Sequence, residues 1–115
     1  MKYLVLIFSN TDASWTGSEE DLQALRGMFA LRDELAATGE LVSSEGLSLP
    51  RDGKIVCVRE GAKVVSDGPF GEAKEQVAGY FLVDCADDAR ADEIAGRVSA
   101  LIKDRVEVRG VALSG

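Results

Sequence analysis

Apolar residues run through this chain in two rhythms, and the switches between them order the elements. Residues 2–8 (Lys-Tyr-Leu-Val-Leu-Ile-Phe) are rich in aromatic and β-branched side chains and hold no breaker, which predicts a strand. Tyr3, Val5 and Ile7 share one face and Leu4, Leu6 and Phe8 the other, so both faces are apolar. Residues 9–17 are polar and turn-like apart from Trp15, which either caps a pocket or locks the loop onto the core. Ser18 followed by Glu19-Glu20-Asp21 is a helix start: a hydroxyl cap, a carboxylate three positions on, and negative charge at the positive end of the dipole. Leu22, Leu25, Met28, Phe29 and Leu35 then recur at helical spacing, and Gly39 supplies a stop near residue 38.

Beyond that stop the period shortens. Residues 41–48 read as a strand with Gly46 as a candidate bulge, and Pro50 to Gly53 as a turn. Residues 54–59 and 63–66 flank Glu60-Gly61-Ala62 and predict a short hairpin. The turn Asp67-Gly68-Pro69-Phe70 and a polar segment, 71–77, precede a strand over 79–84 that is again apolar on both faces. A second helix is predicted from Asp88 to Ile102, with Ala91, Ile94, Ala95, Val98, Leu101 and Ile102 on one stripe. Residues 105–111 form a last strand, Val106 and Val108 facing the helices and Glu107 and Arg109 facing away.

This order is two βαβ-like halves around an inserted hairpin. It predicts an α+β fold, a ferredoxin-like βαββαβ sandwich, as one domain over residues 1–115. Two helices cover one face of such a sheet, yet strands 2–8 and 79–84 are apolar on both. The second face therefore predicts a partner, and a second copy of the same sheet is the simplest: a homodimer or higher homo-oligomer. Glu107 and Arg109 on that side read either as the polar lining of a pocket or as an edge-strand guard against aggregation.

Composition narrows the partners. Thirteen basic residues against twenty acidic ones give a formal charge of −7, a field that repels phosphate backbones and anionic bilayers. No nucleic-acid or membrane partner is therefore expected. The apolar run after Lys2 is too short for a signal-peptide core, and no stretch reaches the ~20 apolar residues of a membrane span, so a cytoplasmic location is expected. Cys57 and Cys85 lie in or beside strand-like runs without CxxC spacing and read as free thiols. The chain has no histidine, no phosphate loop and no Ser/His or Cys/His dyad, and its carboxylates are scattered. No metal and no cofactor are expected.

The 67–70 turn is the most informative local feature. Asp67 can accept from backbone N–H groups just ahead of it, Gly68 before a proline is restricted to extended or positive-φ backbone, Pro69 fixes the exit, and Phe70 can anchor the loop. The charge-dense run Gly71 to Gln76 follows directly. Asp67, Phe70, Glu72, Lys74 and, from the last strand, Arg109 form the candidate ligand-binding set; the same charges read equally as turn-bracing, solvated contacts. Acid–base work would fall to Glu72, Asp67 or Glu45, given burial enough to raise a carboxyl pKa.

The run from Asp67 through Gly71-Glu72-Ala73-Lys74-Glu75-Gln76-Val77-Ala78-Gly79-Tyr80-Phe81-Leu82-Val83 to Asp84 resembles the signature of the DGPF branch of the YCII-related family. The opening Met1 to Phe8, the Glu45-Gly46-Leu47 step and the closing Val106-Glu107-Val108-Arg109 fit the same pattern, so the resemblance spans nearly the whole chain. It implies a dimeric α/β barrel on a ferredoxin-like fold. Its superfamily includes degradative enzymes for small aromatic or lactone-like compounds, and the DGPF branch is often linked with extracytoplasmic-function sigma factors, which implies a regulatory setting. The catalytic His–Asp pair proposed in the wider family has no counterpart in a chain without histidine, and Gly110 stands where the branch usually has proline. Two functions follow as expectations: a small-molecule-binding or accessory protein, or a cofactor-independent lyase or isomerase acting on a small organic substrate in the dimer cleft.

Overall fold

A computed structural model describes residues 1–10, 16–68 and 75–115. The elements are β1 (Lys2–Asn10), α1 (Glu19–Thr38), β2 (Leu41–Gly46), a 3₁₀ turn (Pro50–Asp52), β3 (Lys54–Arg59), β4 (Ala62–Asp67), β5 (Glu75–Asp84), α2 (Asp88–Ile102) and β6 (Glu107–Gly110). Four strands make an antiparallel sheet in the order β2-β5-β1-β6, while β3 and β4 pair only with each other. Taken without the hairpin, that order is the ferredoxin-like one, and the expected fold class holds.

Local chemistry explains the element ends. Ser18 Oγ accepts from the Asp21 N–H at 3.2 Å and caps α1. The Asp21 carboxylate accepts mainly from Thr16, from both N–H and Oγ1 at 3.0 Å, and interacts more weakly with Ser18. Gly39 takes the left-handed conformation (φ 83°) and closes α1 with N–H bonds from residues 39 and 40 to Ala36 and Leu35. Asp87 caps α2 by accepting from the Arg90 N–H at 2.9 Å.

The core lies between the sheet and both helices. Tyr3 and Val5 from β1 and Phe81 and Val83 from β5 meet Leu31 and Leu35 of α1 and Ala91, Ile94, Ala95 and Val98 of α2. Val106 and Val108 pack against the same cluster, as their alternation predicts. Cys85 is buried in it and Cys57 half-buried, both free.

The other side of the sheet has a regular make-up. The register sets Ser43, Leu82, Leu4 and Arg109 in one row across the four strands, and Glu45, Tyr80, Leu6 and Glu107 in the next. Each row is apolar in the middle and polar at both edges. Leu4, Leu6, Tyr80 and Leu82 are half-buried on a face opposite the helices.

Four expectations need correction. Residues 75–77 are strand: β5 begins at Glu75, because its backbone continues the ladder onto Ser9 and Asn10 past an irregularity at Ile7/Phe8. The break in β2 falls between Leu41 and Ser43, leaving Val42 exposed, whereas Gly46 is in register with Gly79. The hairpin turns on two residues, Glu60 (φ 51°) and Gly61 (φ 79°), so β4 starts at Ala62; two positive φ values match the right-handed twist of the strands. Finally, β6 is confined to 107–110, although the Val111 N–H still donates to the Lys2 carbonyl at 2.9 Å.

Candidate functional site

Two clusters of described titratable groups bear on a site, and one of them lies in a cavity. The first gathers at the start of α2. The Tyr3 hydroxyl donates to Asp88, which pushes its pKa up to about 12. Arg90 grips Glu40 with two hydrogen bonds of 2.9 Å, holding the Glu40 carboxyl below its usual range. Burial pushes the Cys85 thiol up, which keeps it protonated and inert. These groups satisfy one another and tie the end of α1 and the start of β2 to α2. Their perturbation is explained by structure.

The second set rims a groove of about 660 Å³ between the first half of α1, the end of β2 and the segment that follows it. Its helix wall is Ala24, Leu25, Met28, Phe29 and Arg32; its opposite wall runs from Ser44 to Pro50; Ile102 and Asp104 stand at one end. The cavity exists because α1 is anchored unevenly. Leu31 and Leu35 are 1% and 0% exposed, whereas Leu25 and Phe29 are 41% and 47% exposed. The volume lies in the usual range for small-molecule pockets, as does a mainly apolar lining with a few polar groups.

The groove's electrostatics are lopsided. The charged residues among its described lining are Asp21, Glu45, Asp104 and Arg32, with the Glu45 side chain on the sheet row of Tyr80 and Leu6; the Arg32 guanidinium sits 4.7 Å from the Phe29 ring centroid and bonds to exposed Asp33. The bonds from Thr16 hold the Asp21 carboxyl below its usual range, so it stays an anion. Such a carboxylate suits electrostatic binding and is a poor proton donor near neutrality.

Among the described candidate residues, Asp67 ends β4 and is exposed, and Arg109 lies on β6, exposed, 3.7 Å from Glu107. They occupy different sheets and neither lines the groove. Phe70, Glu72 and Lys74, like Trp15, lie outside the described residues. Glu45 does line the groove. Gly68 gains a clear reason to be glycine: a Cβ there would come within 2.8 Å of the Pro50 carbonyl oxygen and 3.1 Å of that of Gly53, to which its own N–H donates. Its backbone is outside the positive-φ region, so close approach and not a left-handed turn requires it. Arg32 and Asp104 are charged groove residues that the sequence pattern did not single out; Arg32's spacing of three from Phe29 and seven from Leu25 puts it on their stripe.

The match to known proteins agrees with this fold. The model of the YCII-related domain matches residues 1–112. The chain belongs to the YCII-related family. An uncharacterized protein of Rhizobium meliloti (strain 1021) is 32% identical to it over 88 residues, 75% of this chain and 70% of the relative. No helix of this YCII-related chain, among the described residues, is long and apolar enough to cross a membrane.

Proposed function

We propose that this YCII-related protein binds a small organic molecule in the groove beside α1 and acts as a binding or accessory protein and not as a catalyst. One observation carries the reading: α1 buries Leu31 and Leu35 yet leaves Leu25 and Phe29 exposed over an apolar cavity. With Asp21, Glu45 and Asp104 against Arg32 among its described lining residues, the groove favours a ligand with an apolar, ring-sized body and a neutral or cationic head. Asp67 and Arg109, the described members of the set that a lyase or isomerase was expected to use, are exposed and apart, which weighs against that alternative. In this reading the Asp67–Phe70 turn, Glu72, Lys74 and Arg109 serve the rim that a second copy would close, with Leu4, Leu6, Tyr80 and Leu82 as the apolar centre of a homodimer. The sigma-factor setting implied by the resemblance would make the ligand a signal.

The test is an NMR titration of labelled protein with benzylamine and, separately, benzoate. The expected result is that benzylamine shifts amides of residues 24–32 and 44–50 at millimolar concentration, that benzoate binds more weakly, and that Glu45→Gln narrows the gap. Absence of any shift in these segments with either probe would overturn the proposal.

A further inference from the structure

We infer that the β3–β4 hairpin is an arm that packs on a second copy of this chain. Every residue of β4 is exposed, and in β3 only Ile55 and Cys57 are even half-buried. Val56 and Val65 are directly paired on one face, 58% and 51% exposed, with Val58 beside them at 70%; Val64 on the other face is 42% exposed. An isolated two-stranded hairpin is marginal in water, and one that shows valine on both faces needs a surface to lie against. The described part of its own chain pairs no strand with it: the hairpin forms a separate sheet, its root closed by the bond from the Gly68 N–H to the Gly53 carbonyl. The extended arm agrees with a radius of gyration of 16.0 Å, against roughly 13 Å for a compact chain of this length.

Two observations select a second copy as the occupant. The first is charge. Lys54, Arg59 and Lys63 outnumber Glu60 and Asp67 by one, so residues 54–67 carry +1 and the rest of the −7 chain carries −8. A basic arm thus belongs to an acidic body, and packing onto another body relieves repulsion between two such bodies. The second is area. The apolar centre of the open sheet face is two residues deep on two strands, a footprint on the order of 200 Å². A stable interface takes about 800 Å² from each partner. Two arms exchanged around a two-fold axis, each roughly 20 Å long, supply the missing apolar surface. The arm also springs from the groove wall, because residues 47–50 lead into its root. Seating it therefore steadies the ligand groove. That consequence rests on the proposed ligand-binding function; the association itself does not.

The experiment compares wild type with Val56→Ser/Val58→Ser/Val65→Ser by sedimentation equilibrium, with circular dichroism to follow the fold. Wild type is expected to be dimeric at micromolar concentration and the variant to need at least tenfold more protein to associate. A monomeric wild type, or a variant that associates equally well, overturns the arm. A second measurement avoids substitution: a 1:1 mixture of ¹⁴N- and ¹⁵N-labelled wild type is treated with a carbodiimide. Lys54 and Lys63 are expected to form cross-links to carboxylates of the other isotope; links confined to one isotope overturn the inference. Neither readout involves benzylamine, so the arm and the ligand groove fail separately.

Discussion

The two halves of α1 put the same residue types to different uses. Leu31 and Leu35 in the second half are sealed against the sheet and α2, while Leu25 and Phe29 in the first half stand over a cavity. Both sets recur at helical spacing and neither is more apolar than the other. Periodicity reports which side chains share a face; what that face meets depends on the elements packed against it, which seal Leu31 and Leu35 and leave a groove beside Leu25 and Phe29. Apolar residues left over from packing are where the proposed surfaces lie, and the valines of the β3–β4 hairpin are a second instance.

Substituting one residue type at the two positions breaks the comparison most directly. Leu31→Ala opens a cavity in the core and is expected to cost about 2–5 kcal/mol in denaturant unfolding. Leu25→Ala, six residues earlier on the same helix, is expected to cost less than about 1 kcal/mol. Equal losses at both positions would mean that the groove wall is core after all.

A smaller effect is expected where the groove's other wall meets the central strands. A Cβ on Gly79 would stand 2.7 Å from the Glu45 carbonyl oxygen and 3.3 Å from the Gly46 Cα, both backbone atoms that a rotamer change does not move. Gly79→Ala is therefore expected to cost about 1–3 kcal/mol and to push the end of β2 outward. The amide shifts of residues 44–50 report that displacement. Unchanged shifts with wild-type stability would show that β2 is loosely held.

How much of this was legible beforehand differs by element. The caps at Ser18 and Gly39 and the whole of α2 were legible, because side-chain chemistry within a few residues decides them. The ferredoxin-like order and the bare sheet face followed from counting helices against apolar faces. The start of β5 was not legible: Glu75, Gln76 and Val77 lack a strand pattern and are strand because the end of β1 offers them backbone partners. The irregularity at Val42 and the close approach at Gly68 depend in the same way on atoms distant in sequence. The groove itself was hidden, since Leu25 and Phe29 carry the spacing of core residues. Arg32 is the one clue, a guanidinium on an otherwise apolar stripe.

The network at the start of α2 sharpens the contrast through pH. The folded-state pKa of Glu40 lies below its usual 4.5 because Arg90 favours the carboxylate. Its contribution is therefore complete above about pH 4.5 and is lost as the pH falls through the depressed value. Glu40→Gln is expected to lower the melting temperature by a few degrees at pH 7, with the gap from wild type closing below pH 4.5. A gap that persists at pH 3 would assign the loss to packing and not to charge.

The smallest expected effect on stability is also the most informative about use. Phe29 is about half exposed, and Gln is at least as good a helix former, so Phe29→Gln loses little beyond an exposed stack with Arg32. Its unfolding free energy is expected to stay within about 0.5 kcal/mol of wild type. The same change removes a ring from the groove wall and is expected to weaken benzylamine binding several-fold in the NMR titration. A variant that binds as well as wild type would leave Phe29 an ordinary surface aromatic. One that unfolds easily would return it to the core, beside Leu31. Only stability kept with binding lost separates the first half of the helix from the second by function.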